Sequence, residues 1–410
     1  MPDRAVGALL AGGGPAGAAC AAALRKGGFD GEILLVAREP DPPYERPPAS
    51  KEYLAGRIGR AACLLHDAAW YAGRGIELAT RTSVMKLDTA ARTATLSSKE
   101  VVEYGVALVA TGANVRRLRV DGGQLEGVHY LRTLGNADAI RAEAAEAERV
   151  VLVGGSYIAC EVAATLTALG RRCTMVMLED APLETGFGAT AARFFADLLT
   201  SKGIELVCGD GVDRFEGSGE RVERVVCGSG RVLEADMVVM GTGAVPDVML
   251  ARSAKLELGE TGGVHCNAAL ETSAPGVWAA GDMCEYDSEL HGRRARIEHW
   301  EVALAQGKHV AAGMLGTRRP FTEVPYFWSD LADWCTAEYV GPAERWDREV
   351  VRGDPADGAF TVFQLHGGRL AGALTVGRPE DLMHARRLLA ERGELGGREA
   401  VLAEGDLETL

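Results

Sequence analysis

Two glycine-rich turns lie about 140 residues apart in this chain, Gly12-Gly13-Gly14-Pro15-Ala16-Gly17 and Gly154-Gly155-Ser156-Tyr157-Ile158-Ala159. Each follows an apolar, strand-like run and opens an alanine-rich helix. Beyond each, an acidic residue closes a second apolar run: Glu39 after Ile33-Leu34-Leu35-Val36, and Glu179 after Met175-Val176-Met177-Leu178. Glycines at such a turn let the backbone approach a pyrophosphate, whose charge is stabilised by unpaired amides and the positive end of the helix dipole. A carboxylate at the second strand end accepts hydrogen bonds from ribose hydroxyls. Two such sites imply two dinucleotides, and so electron transfer between a flavin, FAD, and a nicotinamide, NAD(H).

The elements that must position these residues repeat along the chain. From Ala5 the order is strand, glycine turn, a helix from about Ala16 to Gly27, a strand ending at Val36, and then Val106 to Val109 running into the turn Ala110-Thr111-Gly112. From about Arg149 the order recurs, with a helix from Ile158 to Gly170 and a strand Met237 to Met240 running into Gly241-Thr242-Gly243. A further strand ends in Ala279-Ala280-Gly281-Asp282, and a helix is expected from Trp300 to Leu315. Past Pro320 come strands at Thr361 to Gln364 and Leu370 to Val376 and an amphipathic helix from about Pro379 to Arg392. The duplication predicts an α/β chain with two Rossmann-like domains, the NAD domain inserted in the FAD domain, plus a C-terminal α+β domain. The expected boundaries are 1–114 and 244–320 for the FAD domain, 115–243 for the NAD domain and 321–410 for the last.

Composition agrees with an enzyme of several domains. The chain has 410 residues, 47% hydrophobic and 25% charged, which is too long for one ordinary core. The net charge of −14 argues against a nucleic-acid partner, which needs a basic footprint. No apolar run reaches the ~20 residues of a membrane span, and Met1-Pro2-Asp3-Arg4 leads straight into the first strand, so a cytoplasmic protein without membrane contact is expected. Nine scattered cysteines, with no CxxC pair, read as small core residues in a reducing compartment, and no metal site is expected.

The whole constellation resembles the two-dinucleotide flavoprotein reductases, in particular the ferredoxin reductase and apoptosis-inducing-factor-like group. The likeness rests on Gly12, Gly14 and Gly17, Glu39, Pro43-Tyr44-Glu45-Arg46-Pro47-Pro48-Ala49-Ser50-Lys51, Ala110-Thr111-Gly112-Ala113, Ala279-Ala280-Gly281-Asp282, Glu298-His299-Trp300 and Pro325-Tyr326-Phe327-Trp328-Ser329-Asp330. It implies that Pro15, Ala16, Arg38, Arg46 and Arg132 lie with these residues at the FAD, and that Asp282 binds the ribityl chain. It implies that Lys51 reaches the flavin ring paired with Glu161, the two forming the catalytic pair, and that Trp300 and Trp328 flank the isoalloxazine. Gly154, Gly155, Ser156, Tyr157, Ile158, Glu179 and Gly243 fall to the nicotinamide nucleotide. Lys51 on a proline-stiffened loop is otherwise a solvated surface residue, Asp282 a turn aspartate, and the tryptophans core residues.

Departures matter as much. Ser156 stands at the close-approach position and is expected to narrow the space for the pyrophosphate, whereas Ala159 is an accepted variant. Glu179 favours NADH over NADPH, with Arg171 and Arg172 pulling the other way. Leu331 replaces the glutamine usual in ferredoxin reductases and is closer to the apoptosis-inducing-factor-like version. Three functions compete: an NADH-dependent ferredoxin reductase with a small iron-sulfur partner; a disulfide, persulfide or peroxide reductase, for which Ala49-Ser50-Lys51 lacks the cysteine; and an NADH-binding flavoprotein with slow turnover. The first is preferred, with Arg293, Arg294, Arg296, Arg318 and Arg319 as a basic dock for an acidic ferredoxin and a monomer or homodimer as the assembly.

Overall fold

A computed structural model describes residues 1–410. The chain divides into two compact units: residues 1–45, 61–114 and 245–325 form the first, and 46–60, 115–244 and 326–410 the second.

In the first unit the strand Arg4–Ala11 lies between parallel neighbours Ile33–Val36 and Val101–Val109, and Ile76–Ala79 extends the sheet beyond Ile33–Val36. The short strand Val277–Ala279 pairs in parallel with the far side of Val101–Val109. All four residues of Ile33–Val36 are buried, the continuous apolar run expected of a strand covered on both faces. Helices Pro15–Lys26 and Trp300–Met314 pack together, with Gly307 close against Ala16: a Cβ there would lie 2.2 Å from the Ala16 carbonyl oxygen. The register of the parallel strands brings Ala11, Val36, Val109 and Ala279 to one sheet edge, so the turns that follow them open on the same side.

The second unit contains a five-stranded parallel sheet in the order Glu205–Val207, Arg172–Val176, Arg149–Val153, Met237–Met240 and Val128–Tyr130. A three-stranded antiparallel sheet, Val212–Glu216, Arg224–Cys227 and Val232–Glu234, shares its core through Phe215, Val225 and Val238. Residues from Tyr326 onward build a five-stranded antiparallel sheet with the helices Pro379–Glu391 and Glu399–Glu404. Seven of the nine cysteines are buried; Cys208 is exposed and Cys335 half-buried, so the expectation that the cysteines are core residues fails at those two. No helix is long and apolar enough to cross a membrane.

Candidate active site

In the first unit, the turn after Arg4–Ala11 is shaped for close approach. Gly12 has φ 141°, and a Cβ on it would lie 2.0 Å from the carbonyl oxygen of Ala110. Any other residue would push the Ala110-Thr111-Gly112 turn away. At Gly14, by contrast, a Cβ would meet nothing within 4 Å, so the chain leaves open space at the helix start. Helix Pro15–Lys26 has Pro15 in its first turn, no side-chain cap and no acidic residue there, while Arg25 and Lys26 occupy its last turn. Its first amides are therefore left to an anion. This combination fits a dinucleotide pyrophosphate.

The other expected residues of this unit are placed as follows. Glu39 accepts the Tyr44 hydroxyl at 2.5 Å. Arg38 pairs with Asp247 at 3.3 Å and is largely exposed. Thr111 donates its hydroxyl to the Asp247 carbonyl at 2.6 Å, while Gly112 accepts the Asp247 amide at 2.8 Å, which ties the Ala110–Gly112 turn to its neighbour. Asp282 follows Gly281 at the end of Val277–Ala279 and is half-buried. His299 caps the helix that begins at Trp300, and burial pushes its imidazole down to about 4 against the opposing charge of Asp282. Glu298 is held by Arg296, whose side chain is only 16% exposed. Arg296 thus leaves the expected basic dock, because its guanidinium is committed inside its own unit.

In the second unit the Gly154 turn repeats the logic with different residues. Gly154 has φ 113°, and helix Tyr157–Ala168 again has neither side-chain cap nor acid in its first turn. The Ser156 hydroxyl donates to the Gly241 carbonyl at 2.8 Å. That bond commits the side chain to a strand end, which removes the reason for expecting it to crowd a pyrophosphate. A Cβ on Gly155 would lie 3.2 Å from Glu179 Oε2, so the carboxylate stands beside the turn. Arg171 donates to the Ala147 carbonyl at 3.0 Å and Arg172 pairs with Glu148 at 2.5 Å, so neither opposes Glu179. Ile158 is exposed at 38%, and the Tyr157 ring packs 4.5 Å from Phe327. The Gly243 carbonyl accepts the Arg116 amide at 2.9 Å.

The same unit contains a buried charge network. Lys51 and Glu161, 110 positions apart in sequence, come together with Nζ 3.3 Å from Oε1; their side chains are 6% and 8% exposed. Lys51 Nζ also stands 3.3 Å from Asp330 Oδ2. Glu161 accepts Ser50 Oγ at 2.5 Å on one oxygen and Ser329 Oγ at 2.7 Å on the other. Burial pushes the Glu161 carboxyl up, opposed by Lys51 and the two hydroxyls. The Trp328 ring lies 5.5 Å from Lys51 Nζ, within cation–π range. Thr165 donates to the Ser50 carbonyl at 2.8 Å, fixing the loop to the helix that carries Glu161. Arg46 donates to the Arg132 carbonyl at 2.6 Å. Lys51 is thus no solvated surface lysine. Ser50, Ser329 and Asp330 stand in the motifs that carry the family likeness, but nothing in the sequence marks them as partners of the Lys51–Glu161 pair beyond their adjacency to Lys51 and Trp328.

The chain matches the family described as Pyridine nucleotide-disulphide oxidoreductase over residues 9–307 and that described as Reductase C-terminal over 326–410. It is 33% identical to rhodocoxin reductase of Rhodococcus erythropolis over 400 residues, covering 98% of this chain and 93% of that one. The ferredoxin reductase for the CYP199A2 system from Rhodopseudomonas palustris superposes with a TM-score of 0.94 at 31% identity, covering 99% of both chains. A reductase chain from the covalent putidaredoxin reductase–putidaredoxin complex superposes with a TM-score of 0.92 at 32% identity, covering 100% of this chain and 98% of that one. With both glycine turns inside the matched span and relatives aligned along nearly its full length, the chain belongs to the pyridine nucleotide-disulphide oxidoreductase family.

Proposed function

We propose that this protein is an NADH-dependent, FAD-containing reductase that passes electrons to a small iron-sulfur ferredoxin of an oxygenase system. The observation that carries the choice of acceptor is Ser50. It lies in the loop where thiol-using relatives would need a cysteine, and its hydroxyl is bonded to Glu161. Cys20 and Cys160 are fully buried, and burial pushes both thiols well above their ordinary range. Thiol relay chemistry needs an accessible thiolate, which neither of these two offers, and the one exposed thiol, Cys208, lies outside the Ser50 loop, so in this reading the electrons leave by another route. Reductases of rhodocoxin and putidaredoxin among the relatives support a ferredoxin as the acceptor.

FAD, when bound, accepts a hydride from the nicotinamide and releases the electrons singly. In this reading residues 1–114 and 244–320 bind FAD through Gly12, Gly14, Gly17, Glu39 and Asp282, and residues 115–243 bind NADH through Gly154, Gly155 and Glu179. Residues 321–410 complete the Lys51 network through Ser329 and Asp330. Lys51 supplies a positive charge whose counter-charges, Glu161 and Asp330, stand 3.3 Å from it within the same unit. Leu331 is 1% exposed, a core residue, and so gives no support to the slow-turnover alternative. The reading places the protein in the cytoplasm, as a monomer or homodimer, without nucleic-acid or membrane partners.

Stopped-flow reduction by NADH, followed by cytochrome reduction with and without added ferredoxin, tests the proposal. Fast ferredoxin-dependent electron transfer is expected. Transfer that instead requires a thiol, or a reduced flavin that persists with ferredoxin present, overturns it.

A further inference from the structure

The turn that carries Asp282 is held from both sides by side chains of its own unit. On one side the Gly281 amide donates to Gln306 Oε1 at 2.7 Å, and Gln306, on helix Trp300–Met314, is 0% exposed. On the other side the Asp282 carbonyl accepts Arg296 Nη1 at 3.0 Å. Arg296 is itself tied down. It pairs with Glu298, and its Nε donates to Thr261 Oγ1 at 3.0 Å. Thr261 in turn donates its amide and hydroxyl to Glu285 Oε2 at 3.0 and 2.6 Å, and Glu285 is buried.

Gly281 has φ 80°, a conformation that only glycine adopts freely, so the turn has more freedom to lose than an ordinary strand end. Two buried or nearly buried hydrogen bonds, one to the amide before the aspartate and one to its own carbonyl, remove that freedom. Gln306 Nε2 has no hydrogen-bond partner in the chain, so within the protein the amide serves through its oxygen alone.

We propose that Gln306 and Arg296 are positioning residues that fix the Gly281–Asp282 turn, and through it the Asp282 carboxylate, for FAD. The inference rests on the reading of Asp282 as a flavin-binding residue. An unheld turn would present the carboxylate in many orientations, and FAD would have to bear the ordering entropy on binding.

FAD titration of the full-length apoprotein, followed by flavin fluorescence quenching and the visible circular dichroism of bound flavin, tests it. Arg296→Met and Gln306→Leu are each expected to weaken FAD binding by about tenfold or more, the loss of a hydrogen bond to a charged or buried group. Arg296→Lys should recover part of the affinity. Arg252→Met, at an exposed position of the same unit, should bind FAD as the wild type does. In an Asp282→Asn background Arg296→Met should add little, because it acts through the missing carboxylate. Wild-type affinity in both Arg296→Met and Gln306→Leu, or an equal loss with and without the carboxylate, overturns the proposal. Wild-type affinity in Asp282→Asn alone overturns the reading of Asp282 instead. If Arg296→Met fails to fold, Arg296→Lys carries the same comparison.

Discussion

Lys51 Nζ stands 3.3 Å from Glu161 Oε1 with both side chains almost fully withdrawn from water. Such a pair is tolerable only when the remaining lone pairs are satisfied, and here Ser50 and Ser329 satisfy one carboxylate oxygen each. Removing one partner strands a buried charge. Lys51→Met should therefore lower stability by about 3–5 kcal/mol, and Glu161→Gln by less, since an amide oxygen still accepts a hydroxyl. Urea unfolding of the single variants and of Lys51→Met with Glu161→Gln checks this; the double variant should be more stable than Lys51→Met alone.

Kinetically, Lys51→Ala should slow flavin reduction by NADH at least about tenfold while FAD stays bound, as expected for loss of a fixed charge beside a reacting centre. Rapid-mixing absorbance at the flavin band gives the rate. A variant reduced as quickly as the wild type would show that the ammonium has no part in hydride transfer.

Glu179 stands beside Gly155 while Arg171 and Arg172 are engaged elsewhere. A 2′-phosphate would meet a carboxylate that neither of these two arginines offsets. Glu179→Ala should shrink the ratio of kcat/KM for NADH over NADPH by about tenfold, read from steady-state kinetics with each coenzyme.

His299 makes stability depend on pH. Burial pushes the folded-state value from 6.5 down to about 4, so the unfolded chain takes up a proton first as pH falls. Stability should be unaffected above that window and decline as pH drops from about 6.5 to about 4. Thermal unfolding of wild type and His299→Asn across this range should show a shallower decline in the variant, where only histidines such as His66 and His309, which burial also pushes down, still contribute.

Arg294 and Arg319 are exposed, whereas Arg296 faces inward. Arg294→Glu with Arg319→Glu should raise the KM for an acidic ferredoxin several-fold, with the effect fading as salt is added. Turnover of NADH with a small uncharged quinone should be unchanged, because that acceptor needs no basic dock.

Local pattern was enough for the two glycine turns, the acids Glu39 and Glu179, and the helix expected from Trp300 to Leu315, which spans Trp300–Met314. These features are short-range: a turn, a period, a cap. The partners of Glu161 are not. Ser50 and Ser329 reach it from 111 and 168 positions away, on a loop and a strand with no periodicity that marks a buried hydroxyl. Arg296 was misread for a related reason. A run of arginines looks like a surface patch in sequence, and only the placement of Asp282, Glu298 and Thr261 turns one of them inward.

Five crossings of the chain between its two compact units place residues 46–60 and 326–410 with 115–244. Ending the polypeptide at Pro325 would take Ser329 and Asp330 with it and abandon an ammonium and a carboxylate that, besides each other, have three polar neighbours. The last segment is therefore no interchangeable appendage. Any chimera that borrows this portion from another reductase has to import the Ser329-Asp330 dipeptide, or redesign the Ser50-Lys51 loop in the same step.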